Sequence, residues 1–565
     1  MVQGKMRRNK YTFLACFIIF CAVLVRLFLI TYNWPTTDSE EGTMGLEALH
    51  IAFRGEHPIY LYGQNYMGVG EAYLGAVAFH LFGASVFSLR LGMLLLFLFF
   101  LIFVYLLGKL LYGEKVACVA LLLMVGGAEN VLTPEMKAVG GAIETLTFGT
   151  LTLLLASWLA LNSMKEIPIK AQLLWQRRFA YCGWGLAAGL GLWSHLLVAP
   201  FILASAVLLA FFCFHDLRRR NGLFLFFGFS FGIVPLIIYN ITSPIADNTF
   251  AVFIGLHNTV YPNAPTGVVL WLKQLSGTFL YTLPIATGLP QIISNTVLPF
   301  YSGLQLQFLP SILLYGLWSL GYMALLAVSS WQSVKHLYSI WQQHKATKAI
   351  ELSKKRELAL YASQFTLLIS GWLTILSYMT SVTSAQRPWS FRYLVGLMIV
   401  LPALIAPLVK GQDWSFSVRL KAKGVLVVSL LTIILVVSTV GTLQSFSTLS
   451  NGNVLMRQQD ELVHTLVNLG VTKIYSGYWV CDRIIFQSRE KVICAVVNEK
   501  MQPGLTRYTA YKDVVDQSKN VAYVFTKGID FHPSDYIRRF GDDKRYMQMQ
   551  TSQYIIFIAK GNSGA

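Results

Sequence analysis

Asp38, Glu40 and Glu41 follow closely on an apolar run at residues 11–31. That run is long enough to cross a bilayer, and carboxylates set against the end of a spanning helix are costly unless they serve an ion, a proton or a substrate. An ionised carboxylate beside a hydroxyl can act as a general base, an effect typically worth about 10²–10⁴-fold in rate. Clustered carboxylates can also bind a hard cation, or simply cap the amphipathic helix that the pattern predicts at 43–53. The stretch that follows is rich in aromatic and amide groups. HPIYLYGQNYMG carries His57, Tyr62, Gln64 and Asn65 between two amphipathic pieces, GLEALHIAFRG and GEAYLGAVAFHLFG. Helices of that kind can lie along a membrane surface and roof a site. Tyr60, Tyr62 and Tyr66 equally suit an interfacial aromatic belt.

The elements that must position these groups are mostly membrane spans. Of 565 residues, 55% are hydrophobic and 13% charged, with a mean hydropathy of +0.55, whereas soluble domains carry about 25% charged residues. Candidate spans lie at 11–31, 89–111, 115–132, 141–162, 180–195, 196–214, 222–240, 308–331, 360–381, 391–410 and 422–443. The stretch 180–214 reads as a tight pair broken near Ser194-His195. MVQGKMRRNK before the first run reads as the flank of a retained signal anchor, because the run is long and no small-residue cleavage site follows it. With this end cytoplasmic, alternation puts the most basic segments inside: Lys165 to Arg178, HDLRRR at 215–220, Lys335 to Arg356 and Lys410 to Lys423. The segments 32–88, 133–140, 241–307 and 382–390 fall outside, as does the tail. A further pair of helices within 241–307 would leave that assignment unchanged. The carboxylates, His57, Lys137, Arg387 and Arg392 then share the outer face. The formal charge of +18 is explained by basic loops of this kind, so a nucleic-acid partner is rejected.

The organisation is a membrane part over 1–445 and a soluble α/β domain over 446–565, where charges are frequent and apolar runs short. LVHTLVNLG, YWVCDRIIF, YKDVV and HPSDYIRRFG have helical character; VTKIYS, KVICAVV, VAYVF and YIIFIAK have strand character. No GxGxxG or GxxxxGK[ST] occurs, so no nucleotide site is expected. Of seven cysteines, five lie in apolar runs as small fillers; Cys481 and Cys494 lie in the soluble tail, where a disulfide or two free thiols both remain open and no CxxC or metal-site spacing exists.

DSEEGTMGLEALH, GEHPIYLYGQNYMG and the Phe-Gly before Leu89-Arg90-Leu91 resemble the bacterial branch of the protein O-mannosyltransferase and aminoarabinose-transferase superfamily. PEMKAVGGAIETLTFG (134–149), GLAAGLGLWSHLLVAPF (185–201) and RPWSFRYLVGL (387–397) are similar to three further outer elements of that group. The resemblance implies an α-helical polytopic membrane protein with the C-type glycosyltransferase fold, eleven or more transmembrane helices and a small extracytoplasmic α/β domain. It implies inverting transfer of a sugar from a polyprenyl-phosphate donor to a hydroxyl acceptor on a lipid, glycan or protein. The family pattern has Asp-Glu where this chain has Glu40-Glu41, so the catalytic carboxylate is sought among Glu40, Asp38 and Glu41, with Glu40 aligned to the usual acid. Arg392, Arg387 and Lys137 are the candidates for the donor phosphate, since a planar guanidinium can hold two phosphate oxygens. His57, Tyr62, Gln64, Asn65, Glu144 and His195 are candidates for substrate contact. A Lys137–Glu144 structural pair, a satisfied polar His195 and headgroup-anchoring arginines are the structural alternatives. No cofactor is required, although a divalent metal would suit the carboxylates.

Two readings of other classes compete. A transporter or flippase for lipid-linked saccharides would favour charge in mid-span, and these runs are nearly free of it. A non-catalytic scaffold presenting the tail would make no demand on the first loop.

Overall fold

The computed structural model describes residues 2–163, 171–258, 266–292, 309–347, 352–386, 390–409, 422–527, 539–540 and 545–560. The chain divides into two compact units: one of Met1–Val25, Leu96–Glu135 and Gly141–Ser445, the other of Arg26–Leu95, Met136–Gly140 and Phe446–Ala565. In chain order the first helices are α1 (Val2–Thr31), α2 (Ser39–Arg54), α3 (Gly70–Phe82), α4 (Val86–Leu111), α5 (Glu114–Leu123), α6 (Glu129–Met136), α7 (Ala142–Ser163), α8 (Ala171–Ser194), α9 (Ala199–Phe212) and α10 (Arg220–Thr242). After shorter pieces come α11 (Leu309–Thr347), α12 (Leu352–Met379), α13 (Leu401–Val409), α14 (Ala422–Ser447), α15 (Leu449–Asn468), α16 (Tyr478–Gln487) and α17 (Thr509–Asp516). Among the described residues eight helices are long and apolar enough to cross a membrane.

In the first unit, small residues decide where helices touch. Gly185 and Gly189 on α8 face Gly228 and Gly232 on α10; a Cβ on Gly228 would lie 2.1 Å from the Cys182 carbonyl oxygen, and one on Gly189 2.7 Å from that of Phe229. This is the small-xxx-small approach by which apolar helices associate when no hydrophobic force separates them from lipid. The span expected at 115–132 is not one continuous helix. It breaks between α5 and α6 at Gly126 and Gly127, where the chain passes close to Thr442 and Gly441 of α14; a Cβ on Gly126 would meet the Thr442 hydroxyl. The pair expected over 180–214 does break at Ser194-His195: α8 ends at Ser194, and the His195 ring Nδ1 accepts the Leu197 N–H at 3.1 Å to start a short 3-10 turn leading into α9. Residues Phe391–Val400 wind as a ten-residue 3-10 helix before α13, far beyond the three or four residues at which such turns usually stop.

The second unit joins the first outer loop to the tail. Five strands, β1 (Lys473–Ser476), β2 (Ile493–Val496), β3 (Ala522–Thr526), β4 (Tyr546–Gln550) and β5 (Tyr554–Ala559), form one sheet in the order β2-β1-β3-β5-β4. The β1 pairings to β2 and β3 are parallel, and the β3–β5 and β4–β5 pairings antiparallel. Parallel neighbours need a crossover, and α16 supplies it between β1 and β2. A disulfide links Cys481 on α16 to Cys494 on β2, with Cα atoms 5.2 Å apart. The core beneath it gathers Ile474, Val480, Ile484, Val524 and Ile556 from the tail with Leu46 from α2. β4, YMQMQ, was not signalled by the sequence: it is short, mostly exposed, and mixes Met with Gln in place of the β-branched residues that mark a strand. The helix expected at HPSDYIRRFG lies almost wholly outside the described residues.

Candidate active site

The site is built on the N-terminus of α2. Asp38 is its N-cap: the extended Asp38 backbone lets Oδ1 accept the Glu41 N–H at 3.1 Å, satisfying one of the orphan donors of the first turn. The capping alternative therefore holds, and it does not exhaust the residue. Asp38 Oδ2 accepts from the Lys137 ammonium, whose side chain is nearly buried while Asp38 keeps about a third of its surface exposed. Lys137 thus pairs with Asp38. It sits in the short segment Met136–Gly140, fixed where the Gly140 N–H donates to Glu71 at 2.9 Å.

Glu41 faces the other way. It is wholly buried and takes both arms of the equally buried Arg90, Nε to Oε1 at 2.8 Å and Nη2 to Oε2 at 2.6 Å, while the same Nη2 reaches the Pro35 carbonyl at 2.7 Å. A bidentate pair of this kind fixes geometry as well as charge. It ties the start of α2 to the first turn of α4, so Glu41 is a structural anchor. Glu40, between the two, is half-buried beside Tyr478.

Beyond this corner the loop after α2 meets the tail. His50, fully buried, hydrogen-bonds Tyr62 Oη through Nδ1 at 2.8 Å and Glu490 through Nε2 at 3.0 Å. Burial alone raises the Glu490 carboxyl, but hydrogen bonds from His50 and Tyr511 and the charges of His50 and Arg54 pull it down to about 2. Glu47, one turn before His50, is buried, which pushes its carboxyl well above the usual range against the opposing pull of the Tyr62 main chain and Arg507. Asp482 on α16 is likewise raised by burial to about 6, although it accepts the Thr43 hydroxyl at 2.7 Å and feels Arg507. Arg507 is buried and donates to the Tyr478 hydroxyl through Nε at 2.8 Å and to the Tyr62 carbonyl at 3.5 Å. With the Gln64 amide oxygen turned toward it, both guanidinium Nη atoms lie 3.2 Å away. Of the loop candidates, Tyr62 and Gln64 are thus held from the tail, Asn65 is half-buried in the same turn, and His57 points into the open.

The other candidates belong to the first unit. Glu144, at the head of α7, accepts the Gly141 N–H at 3.0 Å through Oε2. Gly141 has φ +81° and no room for a Cβ, which would lie 2.5 Å from the His195 ring. Arg392, in the first turn of the long 3-10 stretch, lies within electrostatic reach of His195 and 5.5 Å from the Tyr393 ring centroid. Glu144, His195 and Arg392 therefore share one neighbourhood, separate from the carboxylate corner by unit. Arg387 lies outside the described residues. Among those described, no group of three or more His, Cys, Asp or Glu side chains is arranged to hold a metal ion.

His50, Glu490, Tyr478 and Arg507 carry no local signal, because each finds its role through a partner in a distant part of the chain. Arg90 was visible only as a basic residue at a span's edge.

No protein-family model and no curated protein sequence matches the chain. Among solved structures, it is similar to the crystal structure of ArnT from Cupriavidus metallidurans bound to undecaprenyl phosphate, with a TM-score of 0.56 and 12% identity over 97% of this chain and 99% of that one. The Archaeoglobus fulgidus oligosaccharyltransferase tethered with an acceptor peptide also matches, with a TM-score of 0.46 and 14% identity over 91% of this chain and 69% of that one. The likeness to ArnT shows the fold: a helical, multi-pass membrane protein of the C-type glycosyltransferase architecture with a small C-terminal sheet domain. The expected fold class is borne out.

Proposed function

We propose that this protein is a membrane glycosyltransferase that moves a sugar from a polyprenyl-phosphate carrier to a hydroxyl on a lipid, glycan or protein at the extracytoplasmic face. The observation that carries this reading is the carboxylate corner at the head of α2, with Lys137 paired to Asp38 and Glu40 beside them, in a chain with the C-type glycosyltransferase fold. The undecaprenyl phosphate bound to ArnT supports the donor class.

The acceptor oxygen attacks the anomeric carbon from the face opposite the phosphate. The bond from that carbon to the phosphate oxygen breaks, its electron pair leaves with the polyprenyl phosphate, and the sugar is inverted. Phosphate is a good leaving group, so the chemical need is a base for the acceptor proton and positive charge for the departing phosphate. Glu41 is held at both oxygens by Arg90, so the base falls to Glu40, with Asp38 orienting Lys137. Lys137, Arg392 and Arg387 are assigned to the phosphate, and His57, Tyr62, Gln64, Asn65, Glu144 and His195 to the sugars. No cofactor is assigned a step.

Sidedness has its own support. Residues 26–95, 136–140 and 446–565 form one compact unit, which supports a shared face for the first loop and the tail. The disulfide in that unit fits an oxidising compartment.

The test is transfer from a polyprenyl-phosphate sugar by the full chain in vesicles. Glu40→Gln should lose about 100-fold or more in kcat while still inserting. Arg392→Gln should raise donor KM more than acceptor KM. Normal transfer by Glu40→Gln, Asp38→Asn and Glu41→Gln alike would overturn the carboxylate mechanism. Tags that place residues 1 and 40 on one face would overturn the topology.

A further inference from the structure

We infer that a polar cavity between α4, α11, α12 and α13 is a lipid site, taking the phosphoethanolamine headgroup of an aminophospholipid with its ammonium inward and its phosphate at the mouth. The cavity lies wholly within the first unit and does not depend on the function proposed for the carboxylate corner.

The cavity is built on one stripe of α11. Ser329, Gln332, Ser333 and His336 recur at i, i+3, i+4 and i+7, so they share a face of the helix. Together with Tyr361 and Gln364 of α12, Tyr112 in the turn after α4 and Pro407 near the end of α13, they enclose about 240 Å³. The helices reach their ends around it. α4 stops at Leu111 and α13 at Val409, while α12 opens with Lys354, Lys355 and Arg356 before its apolar part. Across the turn after α4 the Lys109 ammonium meets Glu114 at 2.9 Å. Charge of this kind marks the level where spans end and headgroups begin. On the sidedness proposed above, that level is the cytoplasmic one.

Depth sorts the lining by chemistry. Ser329, Ser333 and Gln364 are buried, none more than 6% exposed. Each already donates to a main-chain carbonyl: Ser329 to Ala403 at 3.1 Å, Ser333 to Ser329 at 3.1 Å and the Gln364 amide nitrogen to Leu111 at 2.7 Å. What they keep for a ligand is oxygen, two hydroxyls and the Gln364 Oε1, all acceptors. The rim is different. Gln332 and His336 are exposed, and they bring an amide and an imidazole that carries an N–H donor in either tautomer. The His336 ring is held by a parallel stack on Tyr361, with centroids 4.4 Å apart at 11°. Acceptors inside and donors at the mouth are the reverse of a phosphate pocket and match a zwitterion that enters ammonium first. A primary ammonium brings three N–H donors, one for each inner oxygen, and the rings of Tyr112 and Tyr361 border the same space. The phosphate then accepts from Gln332 and His336. A choline headgroup has no N–H to give the inner oxygens, and a glycerol headgroup brings no cation. The acyl chains have a place too, because Val328, Trp331 and Tyr338 form an exposed stripe of α11 adjoining the mouth.

Native mass spectrometry of the full chain in detergent, titrated with dioleoyl lipids that differ only in headgroup, reads the affinity for the first lipid bound. Phosphatidylethanolamine should bind wild type about tenfold or more tighter than phosphatidylcholine or phosphatidylglycerol, the loss expected when hydrogen bonds to a charged group are missing. Gln364→Leu removes an inner acceptor and should weaken phosphatidylethanolamine about tenfold while leaving phosphatidylcholine unchanged. Where Gln364→Leu fails to fold, Ser333→Ala removes a neighbouring acceptor and carries the same expectation. His336→Phe keeps the ring stack and removes the donor at the mouth, so it should weaken phosphatidylethanolamine and phosphatidylcholine alike, since both carry the phosphate. Free O-phosphoethanolamine should bind far more weakly than the lipid, because it lacks the acyl chains. The proposal is overturned by equal affinity for the three lipids, which would leave the cavity to water, or by a preference for phosphatidylglycerol, which would make it an anion site. It is also overturned by unchanged phosphatidylethanolamine affinity in the folded variants, or by free O-phosphoethanolamine binding as tightly as the lipid, which would assign the cavity to a soluble ligand.

Discussion

Replacing Glu41 by Gln removes the charge that balances Arg90 and keeps the shape of the side chain. Both members of the pair are wholly buried, and two hydrogen bonds of 2.8 and 2.6 Å join them. Removing one partner leaves the other charge uncompensated in a dry site, which costs about 3–5 kcal/mol. At about 1.4 kcal/mol per factor of ten, the opened state of α2 should become at least about 100-fold more populated. Hydrogen exchange of the amides over residues 39–54 in the full chain reads that opening directly. The double variant Glu41→Leu with Arg90→Met, which removes both charges together, should exchange far more slowly than Glu41→Gln, because neither charge is stranded. Glu41→Gln should also keep measurable transfer under conditions where it is folded, whereas Glu40→Gln should exchange like wild type and lose about 100-fold or more in kcat. A Glu41→Gln protein that exchanges like wild type yet cannot transfer sugar would refute this reasoning and make Glu41 the reactive carboxylate.

Three further outcomes follow from the same geometry. Gly42→Ala places a Cβ 2.5 Å from the Arg483 backbone and should lower stability by about 1–3 kcal/mol, read as a drop in Tm, with transfer falling alongside. Asp482, raised by burial from 3.8 to about 6, favours the folded state fully below its unfolded pKa and loses that contribution as pH rises through 6, a difference of about 3 kcal/mol; Asp482→Asn should flatten the stability profile between pH 4 and 6, which unfolding followed at several pH values would show. Cys481→Ser with Cys494→Ser opens a loop of sequence separation 13 and should cost the tail unit about 3 kcal/mol, an effect that reductant should reproduce in the wild-type protein.

Much of the fold was legible because hydropathy is a local quantity. The long runs at 89–111 and 141–162 needed no knowledge of their neighbours to be read as helices, and α4 and α7 occupy them. The 115–132 run failed as a continuous helix because two glycines and the approach of α14 decide its course. The carboxylate corner was legible as composition and not as geometry. Three acids in four residues look equivalent in a sequence, yet one caps a helix, one is locked to Arg90 and one stands beside Tyr478. The pairing of Asp38 with Lys137 joins residues 99 apart, and Thr43 with Asp482 joins residues 439 apart. No pattern within a window of the chain encodes such pairs. The reach of the tail into the first loop through Arg507 was invisible for the same reason.

The contact of Ser39 with Tyr478 spans 439 residues, and that has a consequence for biosynthesis. At about 5–20 residues per second, the ribosome completes the partner of the first loop roughly 20 to 90 s after the loop itself emerges. During that interval α2 has its contacts to Arg90 and Lys137 but lacks the tail surface on which Gly42 and Ser39 pack. Chains that stop anywhere upstream of α16 should therefore insert with the head of α2 incompletely packed, which hydrogen exchange over residues 39–54 of such truncated proteins would show.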